Sequence, residues 1–452
     1  MSKTQTEVGL LDTGYRWLGA IPAHWTTAEL RRIADIRLGK MLQTAQSGPD
    51  DIEMPYVSAI NVQPEGLSIE PKKSMWFSRA EQQYLTVEPG DVLVVEGGSV
   101  GRSVYLNDGL EGWRFQNSIN RVRSKPALSV GTFIDYALKH LQSEGVIEMV
   151  CNKATIMHLT AEKLGRLRIA VPPVSEQVAI ADYLDRETAE IDEFIGDQGE
   201  LIELLKERRA ATITQVMTKG LNPESVLRDS GIQWVGKVPE HWQIRKLKAL
   251  AKLISKGTTP TTMGESYTDE GVRFLRGEDV QGGRLVSESP RYISEETHNL
   301  LRRSNIEEND ILFVIAGTLG KTAIATANLL PCNTNQAIAF IRLNDPSRSK
   351  FIHYWLSSRP VEEMTALGAV VAAQPNLSMA TLGNFAVPVP SRPDMQRIVE
   401  HLDFETSEID AAIADAKEAI ALSKERRAAL ISAAVTGKID VRNHITAELG
   451  AA

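Results

Sequence analysis

Cysteine is almost missing from this chain: Cys151 and Cys332 are the only two in 452 residues, far apart, with no CxxC pair and no histidine cluster beside them. A disulfide framework and a structural zinc site are therefore not expected. Long apolar runs are missing as well, none approaching the roughly 20 residues of a membrane span. The opening "MSKTQTEVGL" lacks the basic start, apolar run and cleavage site of a secretory signal. A cytoplasmic protein without a membrane partner is expected. Nor is there an excess of positive charge: the formal net charge is −8, which taken alone argues against a nucleic-acid partner. That average hides a segregation, because residues 176–220 carry −6 and residues 394–438 carry −3, leaving the remainder close to neutral.

Catalytic signatures are missing too. There is no HExxH, no GxSxG elbow, no GxGxxG after a strand and no carboxylate–lysine nuclease cluster. "AGTLGKTA" (316–323) imitates a phosphate-binding loop, but the glycine required five residues before Gly320 is Ile315. It reads instead as a strand-end turn, with Lys321 available to touch phosphates and Arg102 in the same role in "GGSVGRSV". His24 and His241 each stand between a proline and a tryptophan region with no acidic or cysteine partner at ligand spacing, so packing on the tryptophan is expected rather than a metal. A binding or assembly protein, not an enzyme, follows.

What is present is repetition. "DTGYRWLGAIPAHW" (12–25) returns as "DSGIQWVGKVPEHW" (229–242), with seven of fourteen positions identical. "LDRETAEID" (184–192) returns as "LDFETSEID" (402–410), each followed at the same distance by "KERRAA". The offsets are 217 and 218, so one unit of about 220 residues is duplicated. Between these anchors "GDVLVVEGGSVGR" answers "NDILFVIAGTLGK", and "PYVSAINVQ" answers "RFLRGEDVQ". Short runs of Val, Ile, Leu and aromatics broken by Gly, Asn, Asp and Pro predict strands and turns, with helices around 132–142 and 350–358. From Glu176 to about Met217 and from Asp394 to about Val435 there is no proline, and acidic residues precede basic ones, as a helix dipole favours.

Apolar residues recur there at Leu184, Ile191, Phe194/Ile195, Leu201/Ile202 and Leu205, and at Leu402, Ile409, Ile413, Ala416, Ile420 and Leu430. Each helix is on the order of 60 Å long at 1.5 Å per residue, with a bend allowed at Gly196 and Gly199. Leu204, Ile213, Val216 and Met217 lie off the stripe and suggest a further partner surface. The expected fold is α+β: a tandem duplication of a globular domain followed by a long helix, the two helices packed as an antiparallel coiled coil in a pseudo-twofold dumbbell. The boundaries expected are 1–175 and 226–393 for the globular domains, 176–225 and 394–440 for the helical spacers, and 441–452 for a tail.

These phrases, in this order and twice, resemble the specificity subunit of Type I restriction–modification enzymes, from about Asp12 to Lys438. The resemblance implies two target-recognition domains that each read half of a bipartite asymmetric site in double-stranded DNA, with the helices fixing the spacer. It implies two adenine-N6 methyltransferase subunits and further restriction (translocase) subunits as partners, with S-adenosylmethionine and ATP held on those partners and no cofactor here. It leaves room for an anti-restriction inhibitor. "DMQRIV" (394–399) departs from "EQVAIA" (176–181), and "HLT" stands where the second copy has "NLS", which allows different helix starts.

Two domains on one rod can meet grooves about one turn, roughly 34 Å, apart. Positions shared by the copies suit scaffold or phosphate contacts; polar positions that differ suit base reading. Arg37, Lys40, Arg102, Arg121, Lys252, Lys256 and Lys321 are the phosphate candidates, with Ser99 and Thr318 in the adjoining turns. In the shared frame Ser58 faces Arg276 and Ile60 faces Glu278, with Asn61 beside them. Arg276 either pairs with a guanine edge or with Glu278, which otherwise accepts from a cytosine amine. Gln116, Asn117, Asn335 and Gln336 either read adenine or cap turns. Two other readings stay open. An orphan or regulatory DNA-binding protein of the same fold would purify alone, and an enzyme with a composite site between the repeats would show turnover.

Overall fold

The computed structural model describes residues 9–64, 66–151, 157–286, 289–369 and 375–441. The outermost part of the expected tail, 442–452, and the opening eight residues lie outside them. The chain divides into two compact units, residues 1–198 with 418–452 and residues 199–417.

In the first unit an antiparallel four-stranded sheet runs in the order Ser103–Tyr105, Asp91–Val95, Ile119–Ser124, Ala34–Leu38. After Asp91 the run "VLVV" is apolar throughout because this sheet is covered on both faces. Val92 and Val94 point to the side where Phe133, Leu138 and Leu184 pack, while Leu93 and Val95 point to the other, against Val57, Phe77 and Phe115. The latter three belong to a second sheet, in which Ile52–Val57 lies between Arg114–Phe115 and Lys73–Phe77.

The second unit repeats the plan. Ala251–Lys256, Ile338–Leu343, Ile311–Val314 and Thr322–Ile324 form the four-stranded sheet, and Val272–Leu275 lies between Arg291–Ile293 and Cys332–Thr334 in the other. Ile311 and Phe313 face one core cluster, Leu312 and Val314 the other. Helices stand at Gly131–Ser143 and Ser349–Leu356, at the two places expected from the sequence.

Two long helices, Val174–Lys219 and Arg392–Val435, follow the two domains. Their starts are 218 residues apart, so the looser "DMQRIV" does not displace the second one. The first runs unbroken through Gly196 and Gly199. Within the first unit the early residues Ile180 and Leu184 share a core with the late residues Ile431 and Val435, and Asp192 pairs with Arg427 at 3.1 Å. Within the second, late Ile213 and Met217 share a core with early Ile398 and Leu402, and Arg209 pairs with Asp410 at 2.9 Å. The helices are therefore antiparallel in each unit. Leu184, Ile191, Ile202, Leu402, Ile409 and Ala416 are buried as expected, whereas Phe194 and Leu201 fall outside the seam and are exposed. Of the residues expected to lie off the stripe for a partner, Ile213, Val216 and Met217 are core residues of the second unit; Leu204 alone is exposed. A helix stripe computed on its own cannot register that the last turn is wrapped by a domain on another side.

The repeated phrases are the seats between domain and helix. Tyr136 donates to Asp185 at 2.7 Å and lies 3.1 Å from the Thr188 hydroxyl; Tyr354 does the same with Asp403 and Thr406 at 2.7 and 3.2 Å. Burial raises both phenols, Tyr354 up to about 12, so the two remain donors. Trp25 donates to Glu176 at 3.0 Å, on the first turn of the long helix, where a carboxylate also meets the helix dipole. His24 lies 2.9 Å from the same carboxylate and His241 3.5 Å from Asp394, acidic partners that only the fold supplies. The helix ends close on the same tryptophans: Gly437, at φ +71°, approaches Pro22 and Trp25 so closely that a Cβ would stand 2.4 Å from Pro22 Cδ.

One seat differs between the units. Where the first has Asp135, bonded to Ser103 at 2.6 Å and Lys139 at 2.7 Å, the second has His353, 3.4 Å from Thr322. Burial, with the Arg209 guanidinium nearby, pushes the His353 imidazole down to about 4. A base held neutral in the folded state contributes its full stability above the unfolded value near 6.5, and loses it as pH falls from there toward 4. The denaturation midpoint of the second unit is expected to decline over that window, and His353→Gln to flatten the decline; an unchanged pH profile in the variant would refute this assignment. No helix among the described residues is long and apolar enough to cross a membrane.

Candidate nucleic-acid interface

At one end of the two sheets of the first unit, four chain segments converge. Gly39 donates to Ile119 O at 3.0 Å and Lys40 to Phe115 O at 3.1 Å; Asn117 returns a bond to Lys40 O at 2.8 Å. Gln116 donates to Val57 O, Glu96 to Ser118 O, and Ala59 to the Ser118 hydroxyl, the last at 2.9 Å. The result is a platform of strand ends and turns built from 39–40, 57–61, 95–102 and 115–118. The second unit builds the same platform: Gly257 donates to Ile338 O, Thr258 to Thr334 O, Asn335 to Leu275 O and Ile315 to Ala337 O, at 2.8–3.1 Å.

Gly39 and Gly257 are the close approaches that make this possible. A Cβ on Gly39 would lie 2.4 Å from Gln116 O, and one on Gly257 would lie 1.9 Å from Thr334 O. Sequence reasoning missed both, although they stand at the shared offset of 218.

The predicted residues divide on this platform. Ser99, Thr318 and Lys321 are exposed on the paired turns after the central strands, and the Lys321 carbonyl accepts from the Val314 amide at 2.8 Å. Arg102 is half-buried and reaches Val62 O at 3.2 Å. Lys252 is exposed where the register of an edge strand shifts, and Lys256 is exposed at that strand's end. Arg37 is exposed on the matching edge strand, held by Asp35 at 2.9 Å and stacked over Tyr84.

Others are committed internally. Arg121 is 2% exposed and bonded to Tyr84 O, Thr86 O and Asp35, so it has no face for a phosphate. Asn61 is buried as well, accepting from the Ser58 amide and donating to Ser68 O. Lys40 is largely covered and paired with Glu81; burial works against that carboxylate, but Lys40 and Ser78 hold it below its usual range. The Arg276 guanidinium meets Glu278 at 2.5 Å and Ser289 O at 3.1 Å, forming the internal pair that the sequence left as one of two alternatives. Gln116 accepts from the Ser118 amide and hydroxyl, and Asn335 from the Ala337 amide at 3.2 Å: both cap turns. Asn117 and Gln336 stand beside them, Asn117 half-buried and Gln336 exposed and bonded to Thr259. Glu278 is exposed at the tip of its turn, and Ser58 is half-buried at the base of the matching one.

Two stretches, residues 22–203 and 239–416, match the family described as Type I restriction modification DNA specificity domain. The chain belongs to that family. It is the DNA-specificity subunit of a Type I restriction–modification complex, a non-catalytic role. The specificity subunit of the Type I enzyme EcoBI from Escherichia coli is 22% identical over 89% of this chain and 84% of its own length. That of MjaVIII from Methanocaldococcus jannaschii is 22% identical over 94% of this chain and 95% of its own. A solved chain from work on complex assembly and conformational transition of the type I R-M system shares the fold at a TM-score of 0.69, with 15% identity, covering 93% of this specificity subunit and 99% of that chain. The two matched stretches are the two copies that the 218-residue offset defines.

Proposed function

We propose that each strand-end platform reads one half of a split, asymmetric site in double-stranded DNA. The observation that carries this reading is that the two platforms share their backbone bonds and glycine seats but differ in what they expose. A shared scaffold with different exposed polar groups is what two half-sites of different sequence require. On this reading Arg37, Ser99, Arg102, Lys252, Lys256, Thr318 and Lys321 meet the phosphate backbone, while Glu278, Asn117 and Gln336 face base edges. Arg121, Asn61, Gln116 and Asn335 support the platform from within.

The long helices set the spacer and receive two copies of an adenine-N6 methyltransferase subunit. Leu204 and Leu422 support two copies: they hold the same place in each repeat and are 63% and 57% exposed. Restriction subunits join through that assembly, with S-adenosylmethionine and ATP bound on the partners. The complex acts on DNA in the cytoplasm, and an anti-restriction inhibitor would meet the same exposed surfaces.

The test is replacement of residues 226–393 by the corresponding domain of a relative, followed by sequencing of methylated adenines in cells that express the methyltransferase subunit. One half of the modified motif should change while the other half and the gap persist. Methylation of the original site by the replaced chain would overturn the reading.

A further inference from the structure

In both platforms a single 3-10 turn is mounted in the same way. The turn Ala59–Asn61 is closed by the Ser58 amide donating to the Asn61 side chain at 2.9 Å and the Asn61 amide donating to Ser58 O at 2.9 Å. The turn Gly277–Asp279 repeats this with the Arg276 amide and Asp279 at 2.7 Å, and the Asp279 amide and Arg276 O at 2.9 Å. Ser68 donates to Asn61 O, and Val286 to Asp279 O, both at 2.8 Å, which ties each turn to the strand that follows. The last residue of each turn is buried, Asn61 at 1% and Asp279 at 3%. The residue before it is the one that projects. Such a mount fixes the backbone and leaves one side chain free to vary.

The two projecting side chains are chemically opposite. Glu278 carries a carboxylate pinned by Arg276, an acceptor suited to an exocyclic amine. Its counterpart is Ile60, 49% exposed, beside Ser58 and Ala59 and joined through the Ala59–Ser118 bond to the segment carrying Gln116 and Asn117. An isoleucine has no hydrogen bond to offer, and the apolar group that base edges display in the major groove is the C5-methyl of a pyrimidine.

We propose that Ile60 is a specificity-determining residue of the first domain and that it reads the C5-methyl group of one pyrimidine in its half-site. This rests on the reading of the platforms as DNA-facing. Ile60 is stiff at χ1, so little side-chain freedom is lost when it meets the methyl.

The measurement uses the complex of this chain with its methyltransferase subunit and synthetic duplexes carrying the motif found by adenine-methylation sequencing. Each thymine is replaced in turn by deoxyuridine, which removes only the methyl, and each cytosine by 5-methylcytosine. One position is expected to change affinity by about fourfold, the worth of one methyl buried, and Ile60→Ala is expected to abolish that change while still binding the duplex. A loss on deoxyuridine assigns the methyl to thymine; a gain on 5-methylcytosine with no thymine effect assigns it to the modified base. No position coupled to Ile60 overturns the inference and leaves the DNA reading standing, because the unmodified duplex still binds. Failure of the wild-type complex to bind any duplex with the motif overturns both.

Discussion

Gly257→Ala will weaken recognition of one half-site and leave the other untouched. The added Cβ would stand 1.9 Å from Thr334 O and 2.3 Å from Asn335 O, and both are backbone atoms that no side-chain rotation can move aside. Relief requires the Thr258–Thr334 and Asn335–Leu275 bonds to open, and these hold the second platform together. Forcing extra volume into such a site costs about 1–3 kcal/mol, so full-site affinity should fall by about five- to 150-fold. Gly39→Ala, with its Cβ 2.4 Å from Gln116 O, should damage the other half-site in the same way. Gly196→Ala is the control: nothing lies within 4 Å of its Cβ, and a helical glycine replaced by alanine gains about 0.5–1 kcal/mol. Binding to duplexes in which either half-site is scrambled separates the three. Full-site affinity unchanged in Gly257→Ala would mean that the platform does not touch DNA.

Loss of Arg123 or Arg342 should be the most damaging single change to stability. Asp91 has 0% and Asp310 1% of its side chain exposed. Arg123 grips Asp91 through two bonds of 2.7 and 2.8 Å, and Arg342 grips Asp310 at 2.9 and 2.7 Å. Each arginine also holds a glutamate, Glu88 or Glu307, at its outer side. Removing the cation leaves a carboxylate inside with one amide donor, from Glu88 or Glu307. Breaking a buried pair from one side costs about 3 kcal/mol, at the lower end because the arginines are partly exposed. Arg342→Met combined with Asp310→Asn should recover most of that loss, since neither charge is then buried alone. Urea denaturation of the chain reads both effects, and a single-variant loss below about 1 kcal/mol would contradict the assignment.

The architecture was legible because it is written twice. The offset of 218 points to a duplicated domain and long helix and to the antiparallel partnership of the helices, since a helix with one apolar stripe must bury it and its near copy is available. The same alignment contained the buried ion pairs, Asp91 with Arg123 and Asp310 with Arg342, but nothing local marks them: the partners are 32 residues apart and meet only through strand pairing. The roles of polar residues on the platform were less legible for a related reason. Arg121 looked like a phosphate ligand until Asp35, far away in sequence, took it inside. Gln116 and Asn335 each accept from the amide two residues on, a contact that the sequence alone does not separate from a base contact. Ile213, Val216 and Met217 lie off the stripe yet are buried, because a domain covers them together with the helix partner.

The first unit is assembled from both ends of the chain. Its core takes in Ile431, Ala434, Val435 and Val441 from the far end, and Gly437 seats against Pro22 and Trp25, whereas residues 199–417 make the second unit without a break. On the ribosome the order of completion is therefore reversed: the domain synthesised first waits for the last helix to emerge, while the later one can close ahead of it. A premature stop codon in the final turns of the second long helix would strip the floor from the amino-terminal domain and leave the carboxy-terminal one whole.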